Sequence, residues 1–175
     1  MKHFITKDVK NGHTYLRMQT EGATAEQIRA WLIGDTIISA YIFLKDDLSS
    51  FWKMLIALGS GNMLELSGSE TEIFDWNEYG TINIAFLENK KEIDFSIYKE
   101  IDVNGFSIVS AEKLIYSNGE ISTECGFSLS SSNGAKFRVA SGELPFRLSA
   151  STHSEGDNFC PRYDLDVCAL ISSGW

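Results

Sequence analysis

The sequence predicts an α+β fold for a single domain spanning residues 1–175. The expected architecture is a mainly antiparallel β-meander sheet, open or curled like a barrel, with one or two helices from the N-terminal third packed on it. Two observations support this fold class. Asn-Gly pairs recur between alternating apolar and polar residues, and helical spacing of apolar residues is confined to the first third of the chain. With 43% hydrophobic residues, the chain can bury a core.

A short helix is expected to begin at Thr24. The Thr24 hydroxyl can cap the helix while the side chain of Gln27 reaches back in a capping box, and an apolar stripe follows at Ile28, Trp31 and Leu32. The next run, TIISAYIFL at 36–44, is rich in β-branched and aromatic residues. We therefore interpret 36–44 as a buried strand, with a helix as the alternative.

A second helix is expected over residues 47–58. Apolar residues after Asp47 recur at the i, i+3, i+4, i+7 spacing of an amphipathic helix, and Gly59 can end it in the left-handed conformation. The face predicted to pack on the sheet consists of Phe51, Trp52 and Leu55. Trp52 is accordingly expected to be mostly buried.

The rest of the chain is predicted to form consecutive hairpins. Asn-Gly is typical of the type I′ turn, because that turn needs positive φ at both central positions. Turns are expected at Asn11-Gly12, Asn89-Lys90, Asn104-Gly105, Asn118-Gly119 and Asn133-Gly134. Strands are expected near 13–20, 62–67, 81–88, 92–99, 106–117, 120–130, 135–140, 144–151 and 163–172.

The charge balance narrows the choice of partner. The chain has 15 basic and 24 acidic residues, a net charge of -9. Such a surface repels phosphate backbones and anionic lipids, which argues against nucleic-acid and membrane partners. No long apolar run or secretory signal is present, so a cytoplasmic location is expected. Three cysteines indicate reduced thiols, with Cys125 in the core and a bridge between Cys160 and Cys168 as the less favoured alternative.

No residue pattern indicates catalysis or a bound cofactor. The His153 loop could be imagined to hold a nucleophile and its base, and Asp164 and Asp166 could share one face of a strand. A polar loop and a solvated strand face explain them more simply. Gly59 and Gly61 precede a strand, which does not match a phosphate-binding loop. The sequence therefore predicts a non-enzymatic protein without metal or cofactor.

The most informative stretch is acidic and aromatic. No Lys or Arg occurs from 54 to 89. Carboxylates of one sign attract a basic partner, and aromatic rings anchor the complex. The predicted partner-binding residues are Glu65, Glu70, Glu72, Asp75, Trp76, Glu78 and Tyr79. The alternative is an ordinary acidic loop in which Trp76 turns inward.

The order FWKMLIALGSG, NMLELSG, DWNEYG, TINIAFLEN and KEIDFSIY resembles the small acidic cytoplasmic immunity proteins of bacterial polymorphic and contact-dependent toxin systems. The resemblance covers roughly 45–100 and is one of layout and composition. It implies a non-enzymatic inhibitor that occludes a basic toxin, for example a nuclease. A function of another class remains open: the 11 Phe, 6 Tyr and 4 Trp could line a barrel-like sheet that binds a small apolar ligand.

Overall fold

The computed structural model describes residues 7–73, 77–87, 93–103, 105–152 and 158–172. Within them, the chain forms one α-helix, α1 at Ala25–Leu32, and fourteen strands. The strands are β1 Lys7–Lys10, β2 His13–Leu16, β3 Gln19–Glu21, β4 Thr36–Phe43, β5 Lys53–Leu58, β6 Met63–Ile73, β7 Asn77–Leu87, β8 Tyr98–Ile101, β9 Phe106–Ser107, β10 Ser110–Ser117, β11 Ile121–Ser130, β12 Lys136–Ser141, β13 Leu148–Ser151 and β14 Cys168–Ile171.

The described strands form two open, mixed sheets. The first runs β3-β7-β6-β5-β4-β8, with β9 also paired to β4, and the second runs β1-β2-β11-β10-β14, with β12 paired to β11 and β13. Most pairs are antiparallel, while β2–β11 and β3–β7 are parallel. The predicted α+β class is confirmed. The meander is also present, but it is divided into β4–β7 in one sheet and β10–β13 in the other.

One hydrophobic core joins the two sheets. Side chains from β4 to β7 of the first sheet pack with side chains from β11 to β13 of the second, and Ile28 and Leu32 of α1 join them. Phe51, Phe127 and Phe137 are the largest of the fully buried side chains. No helix formed by the described residues has the length and apolar character needed to cross a membrane.

The predictions of α1 and β4 are confirmed. The Thr24 hydroxyl accepts a hydrogen bond from the Gln27 amide at 3.2 Å, and the Gln27 side chain accepts one from the Thr24 amide at 2.9 Å. This reciprocal capping box starts the helix. The run after it forms the strand Thr36–Phe43, with Ile37, Ala40 and Ile42 in the core.

The prediction of a helix at 47–58 is wrong. The Asp47 carboxylate accepts the amide hydrogens of Ser49 and Ser50 in a turn, and the chain then enters the strand Lys53–Leu58. Both faces of this strand bear buried residues, so its apolar run imitates a helical stripe. Phe51 is fully buried, whereas Trp52 is 48% exposed, which also contradicts the expected burial of Trp52.

The Asn-Gly turns have mixed outcomes. At Asn11-Gly12, which joins β1 to β2, both φ angles are positive, 52° and 79°, as a type I′ turn requires. The turns at 118–119 and 133–134 also join paired strands, with the positive φ at the glycine alone. The expected hairpin at 104–105 is wrong, because β8 and β9 both pair with β4. Residues 89–90 lie outside the described residues, and the flanking β7 and β8 do not pair with each other.

Candidate functional site

The five predicted partner-binding residues that the structure describes lie on the β6–β7 hairpin, but they do not share one surface. Glu72 faces Glu78 in register and Glu70 faces Gly80, so these three glutamates are on one face. Glu65 and Tyr79 point to the other face, at opposite ends of the hairpin. Asp75 and Trp76 lie outside the described residues.

Arg162 is the basic residue that the sequence reasoning missed. Its guanidinium donates to Glu70, whose side chain is 7% exposed, and a second nitrogen lies 3.7 Å from Glu78, whose side chain is 49% exposed. Gly80 lies beside this ion pair and lets Ser141 approach the hairpin, since a Cβ there would lie 2.7 Å from the Ser141 hydroxyl and 3.4 Å from the Arg162 side chain. Glu70 is therefore held in a structural ion pair, and Glu78 only partly.

Tyr79 serves mainly to hold two hairpins together. Its hydroxyl accepts a hydrogen bond of 2.9 Å from the Asn118 side chain, and its ring packs against Leu16, Ile73 and Ile121. The β10–β11 turn is thereby fixed beside the β6–β7 hairpin. The position of Tyr79 makes it a support for the surface.

Exposed carboxylates lie on the hairpin and on two segments that contact it. Glu120 follows Asn118, which contacts Tyr79, and Asp164 and Asp166 follow Arg162 and Tyr163, which contact Glu78 and Gly80. We call this surface the acidic end and define it by Glu72, Glu78, Glu120, Asp164 and Asp166. Asp164 precedes a 3-10 turn at Leu165–Val167. The expected strand 163–172 is thus reduced to β14, and the two aspartates do not share a strand face.

A tyrosine and two thiols lie beneath the acidic end. The Tyr163 ring stacks on Tyr116 at 4.2 Å, and its hydroxyl accepts the Gly80 amide hydrogen at 3.0 Å. Burial raises the pKa of Tyr163. Cys125 is buried, as predicted, and contacts Cys168. The interaction with Cys168 raises the pKa of Cys125 and lowers that of Cys168, while the Cys125 thiol donates a hydrogen bond to the Leu114 carbonyl oxygen at 3.4 Å.

An aromatic groove lies at the other end of β6. Its volume is about 500 Å³, and it is open to solvent. Rings surround it, and polar side chains of β5 and β6 form its floor. We call it the aromatic groove and define it by Phe43, Trp52, Lys53, Glu65, Ser67, Gly68 and Phe146. Glu65, which was expected to meet a basic partner, instead accepts a hydrogen bond from Lys53 at 2.9 Å inside this groove.

The rings of the aromatic groove are held by residues around them. The Asp46 carboxylate accepts the Trp52 amide hydrogen at 3.0 Å and an Arg147 hydrogen bond at 2.8 Å. Arg147 in turn lies 4.5 Å from the centre of the Trp52 ring, a cation–π distance. Phe43 stacks on Tyr98 at 4.8 Å. Arg147 and Tyr98 thus support the Trp52 and Phe43 rings, respectively.

Phe146 reaches the groove from the loop between β12 and β13. Its φ of 58° is in the left-handed region, which is rare for a residue with a Cβ. The same loop presses on β6, where a Cβ at Gly68 would lie 2.7 Å from the Phe146 carbonyl oxygen. The Phe146 side chain is 45% exposed. A strained backbone that presents an exposed ring is typical of a binding surface.

The turn at Gly59 and Gly61 is stabilised by a carboxylate, that of Asp35. The Asp35 carboxylate accepts the amide hydrogens of Thr36 and Ser60 at 2.7 and 3.1 Å, and thus closes the turn that contains Gly59 and Gly61. Burial alone would raise the pKa of the Asp35 carboxyl, but the hydrogen bonds together have the larger effect. The pKa of Asp35 therefore lies below its ordinary value. His153 lies outside the described residues. Within the described part of the chain, no three His, Cys, Asp or Glu side chains are grouped to hold a metal ion.

Comparison with known proteins found no matching family model, no matching curated protein and no matching solved structure. Function is therefore inferred from the acidic end and the aromatic groove alone.

Proposed function

We propose that this protein is a non-enzymatic, immunity-type inhibitor that acts in the cytoplasm and occludes a basic toxin domain, for example a nuclease. The observation that carries the proposal is the acidic end, where Glu72 faces Glu78 and two further segments that contact the hairpin carry the exposed carboxylates of Glu120, Asp164 and Asp166. A net charge of -9 adds a long-range attraction for a basic partner. The same field disfavours nucleic acid and anionic membranes.

The register of the hairpin places two glutamates opposite each other, which favours the binding of a cationic group. Glu72 and Glu78 are directly opposite each other, and like charges in such pairs destabilise a sheet. Arg162 is already committed to Glu70 and reaches Glu78 only at 3.7 Å. A Lys or Arg from a partner, placed between Glu72 and Glu78, would relieve this repulsion. Binding would then gain free energy that the isolated protein lacks.

The test begins with the product of the neighbouring gene as the candidate partner. We expect it to co-purify with this protein and to lose its toxic activity when bound. The double variant Glu72→Lys, Glu78→Lys should release the inhibition. Its matched control is Glu21→Lys, Glu26→Lys, which reverses two exposed carboxylates elsewhere, since Glu21 faces Ala85 at the opposite end of β7. The proposal fails if both double variants inhibit as well as the parent.

The aromatic groove favours a second candidate function, the binding of a small ligand with apolar character. Side chains of both sheets fill the core between them, so the described surface groove is the better place for such a ligand than an internal cavity. A groove lined by rings with a few polar groups is typical of small-molecule sites. A native mass spectrum of the purified protein tests this candidate: a bound compound that Trp52→Ala abolishes supports it, and a bare protein mass contradicts it.

A further inference from the structure

We propose that the aromatic groove binds a neutral sugar, with a ring face stacked on Trp52 or Phe146 and hydroxyl groups on the polar floor. This inference depends on the second candidate function and names its ligand class. It is independent of the acidic end. Its basis is the combination of supported rings and a charge-balanced floor, described above.

The charges of the groove argue against an ionic ligand. Lys53 and Glu65 neutralise each other at 2.9 Å, and Arg147 is neutralised by Asp46 at 2.8 Å. A cationic ligand would meet the Lys53 ammonium in the groove, although the rings and the net charge of the chain would favour it. An anionic ligand would meet Glu65 and the negative field of the whole chain. A neutral ligand avoids both repulsions.

The floor of the groove argues against a purely apolar ligand. Lys53 can donate hydrogen bonds, Glu65 can accept them, and Ser67 is on the same face of β6. A hydrocarbon would strip water from these groups and return no hydrogen bond, which is unfavourable. Hydroxyl groups both donate and accept, so they can satisfy Lys53 and Glu65 together. The ligand should therefore carry several hydroxyls.

The rings of the groove supply the complementary apolar contact. An aromatic face carries negative charge density, and the C–H bonds on the face of a sugar ring present weakly positive hydrogens. Arg147, which is held by Asp46, lies against the Trp52 ring and limits the ring motion that binding has to freeze. The groove is open to solvent, which suits one or more units of a chain.

The experiment is isothermal titration calorimetry on the full chain with three neutral oligosaccharides: maltohexaose, cellohexaose and tri-N-acetylchitotriose. Choline and 1-decanol serve as the cationic and apolar comparison ligands. We expect at least one oligosaccharide to bind at low millimolar concentration or below, with little dependence on salt. Trp52→Ala and Phe146→Ala should each weaken binding about tenfold or more. Tyr15→Ala, which removes a partly exposed ring from the other sheet, should leave it unchanged.

The outcomes separate the ligand class from the site. Binding of 1-decanol without any oligosaccharide refutes the sugar and leaves the second candidate function standing. Binding of choline alone refutes both a neutral and an apolar ligand. If none of the five compounds binds, both the inference and the second candidate function fail. Sugar binding that persists in Trp52→Ala and Phe146→Ala also refutes the inference, because the site is then elsewhere. Both exposed rings can be replaced without emptying the core, and circular dichroism verifies that each variant folds.

Discussion

The acidic end and the aromatic groove lie toward opposite ends of strand β6, and they differ in how far their charges are paired. In the groove Lys53 is paired with Glu65, and beside the groove Arg147 is paired with Asp46. At the acidic end Glu72 and Glu78 face each other, and Arg162 is shared with Glu70. A surface with balanced charge recognises ligands by contact, whereas a surface with unbalanced charge attracts them through its field. Added salt should therefore weaken binding at the acidic end and have little effect on binding in the aromatic groove.

The largest effect is expected beneath the groove, where neighbouring residues have opposite roles. Phe51 is fully buried and Trp52 is 48% exposed. Phe51→Ala should lower the free energy of unfolding by about 3 to 5 kcal/mol. Trp52→Ala should lower it by less than about 1 kcal/mol, chiefly through the lost contact with Arg147. Urea denaturation of both variants measures the difference, and similar losses would show that Trp52 belongs to the core.

A smaller difference is expected within the acidic end itself. Glu70→Gln removes the charged partner of Arg162 in a site with little exposure and should cost about 1.5 to 3 kcal/mol of stability. Glu72→Gln should change stability by no more than about 0.5 kcal/mol, since it removes an exposed charge that faces another glutamate. Denaturation at neutral pH measures both. Equal effects would contradict the division into a structural and a binding glutamate.

Acid should affect the turn that leads into the groove. Hydrogen bonds from Ser49 hold the pKa of Asp47 below its ordinary value of 3.8. A carboxyl whose pKa is lower in the folded state stabilises the fold above the unfolded pKa. This contribution is lost as the pH falls from about 4 through the folded value. The Asp47→Asn variant should therefore lose less stability than the parent as the pH falls from about 5 to about 2. Over this range a carboxyl whose pKa is lowered by folding takes up its proton. Unfolding curves across that range are the measurement, and parallel losses would refute the assignment.

The smallest effect is expected in the reactivity of the three thiols, which tests whether Cys125 is buried beneath the acidic end. Cys160 is exposed, Cys168 is partly buried, and Cys125 is buried. A maleimide should label Cys160 first, then Cys168, whose lowered pKa favours the thiolate, and Cys125 only after unfolding. Mass spectrometry of digested samples gives the order. Early labelling of Cys125 would contradict its place under the surface.

Local signals in the sequence were reliable where one turn or one cap decides the structure. Thr24 with Gln27 predicted α1, and Asn118-Gly119 predicted the β10–β11 hairpin, because both involve neighbouring residues. The segment 47–58 misled because a strand buried on both faces has no two-residue period. Only tertiary packing separates Phe51 from Trp52.

The two surfaces could be only partly predicted, because each is assembled from distant segments. Arg162 reaches Glu70 across 92 positions, and Phe146 meets Trp52 in a groove that no local pattern encodes. A signal did exist in Gly68 and Gly80, since glycine inside a strand often marks the close approach of another segment. A Cβ at Gly68 would collide with Phe146 of the aromatic groove, and a Cβ at Gly80 would collide with Ser141, whose carbonyl oxygen accepts the Arg162 amide hydrogen.

The most direct test of the proposed function is the association rate with the basic partner, measured by stopped flow over a series of salt concentrations. For the parent protein we expect the rate to fall steeply as salt increases, because exposed charges act through a screened field. Glu72→Lys, Glu78→Lys should associate about tenfold or more slowly at low salt and show a flatter dependence. Trp52→Ala and the control Glu21→Lys, Glu26→Lys should retain most of the parent rate and its slope. If the parent rate does not depend on salt, or if the hairpin and control reversals change it equally, the acidic end is not the binding surface.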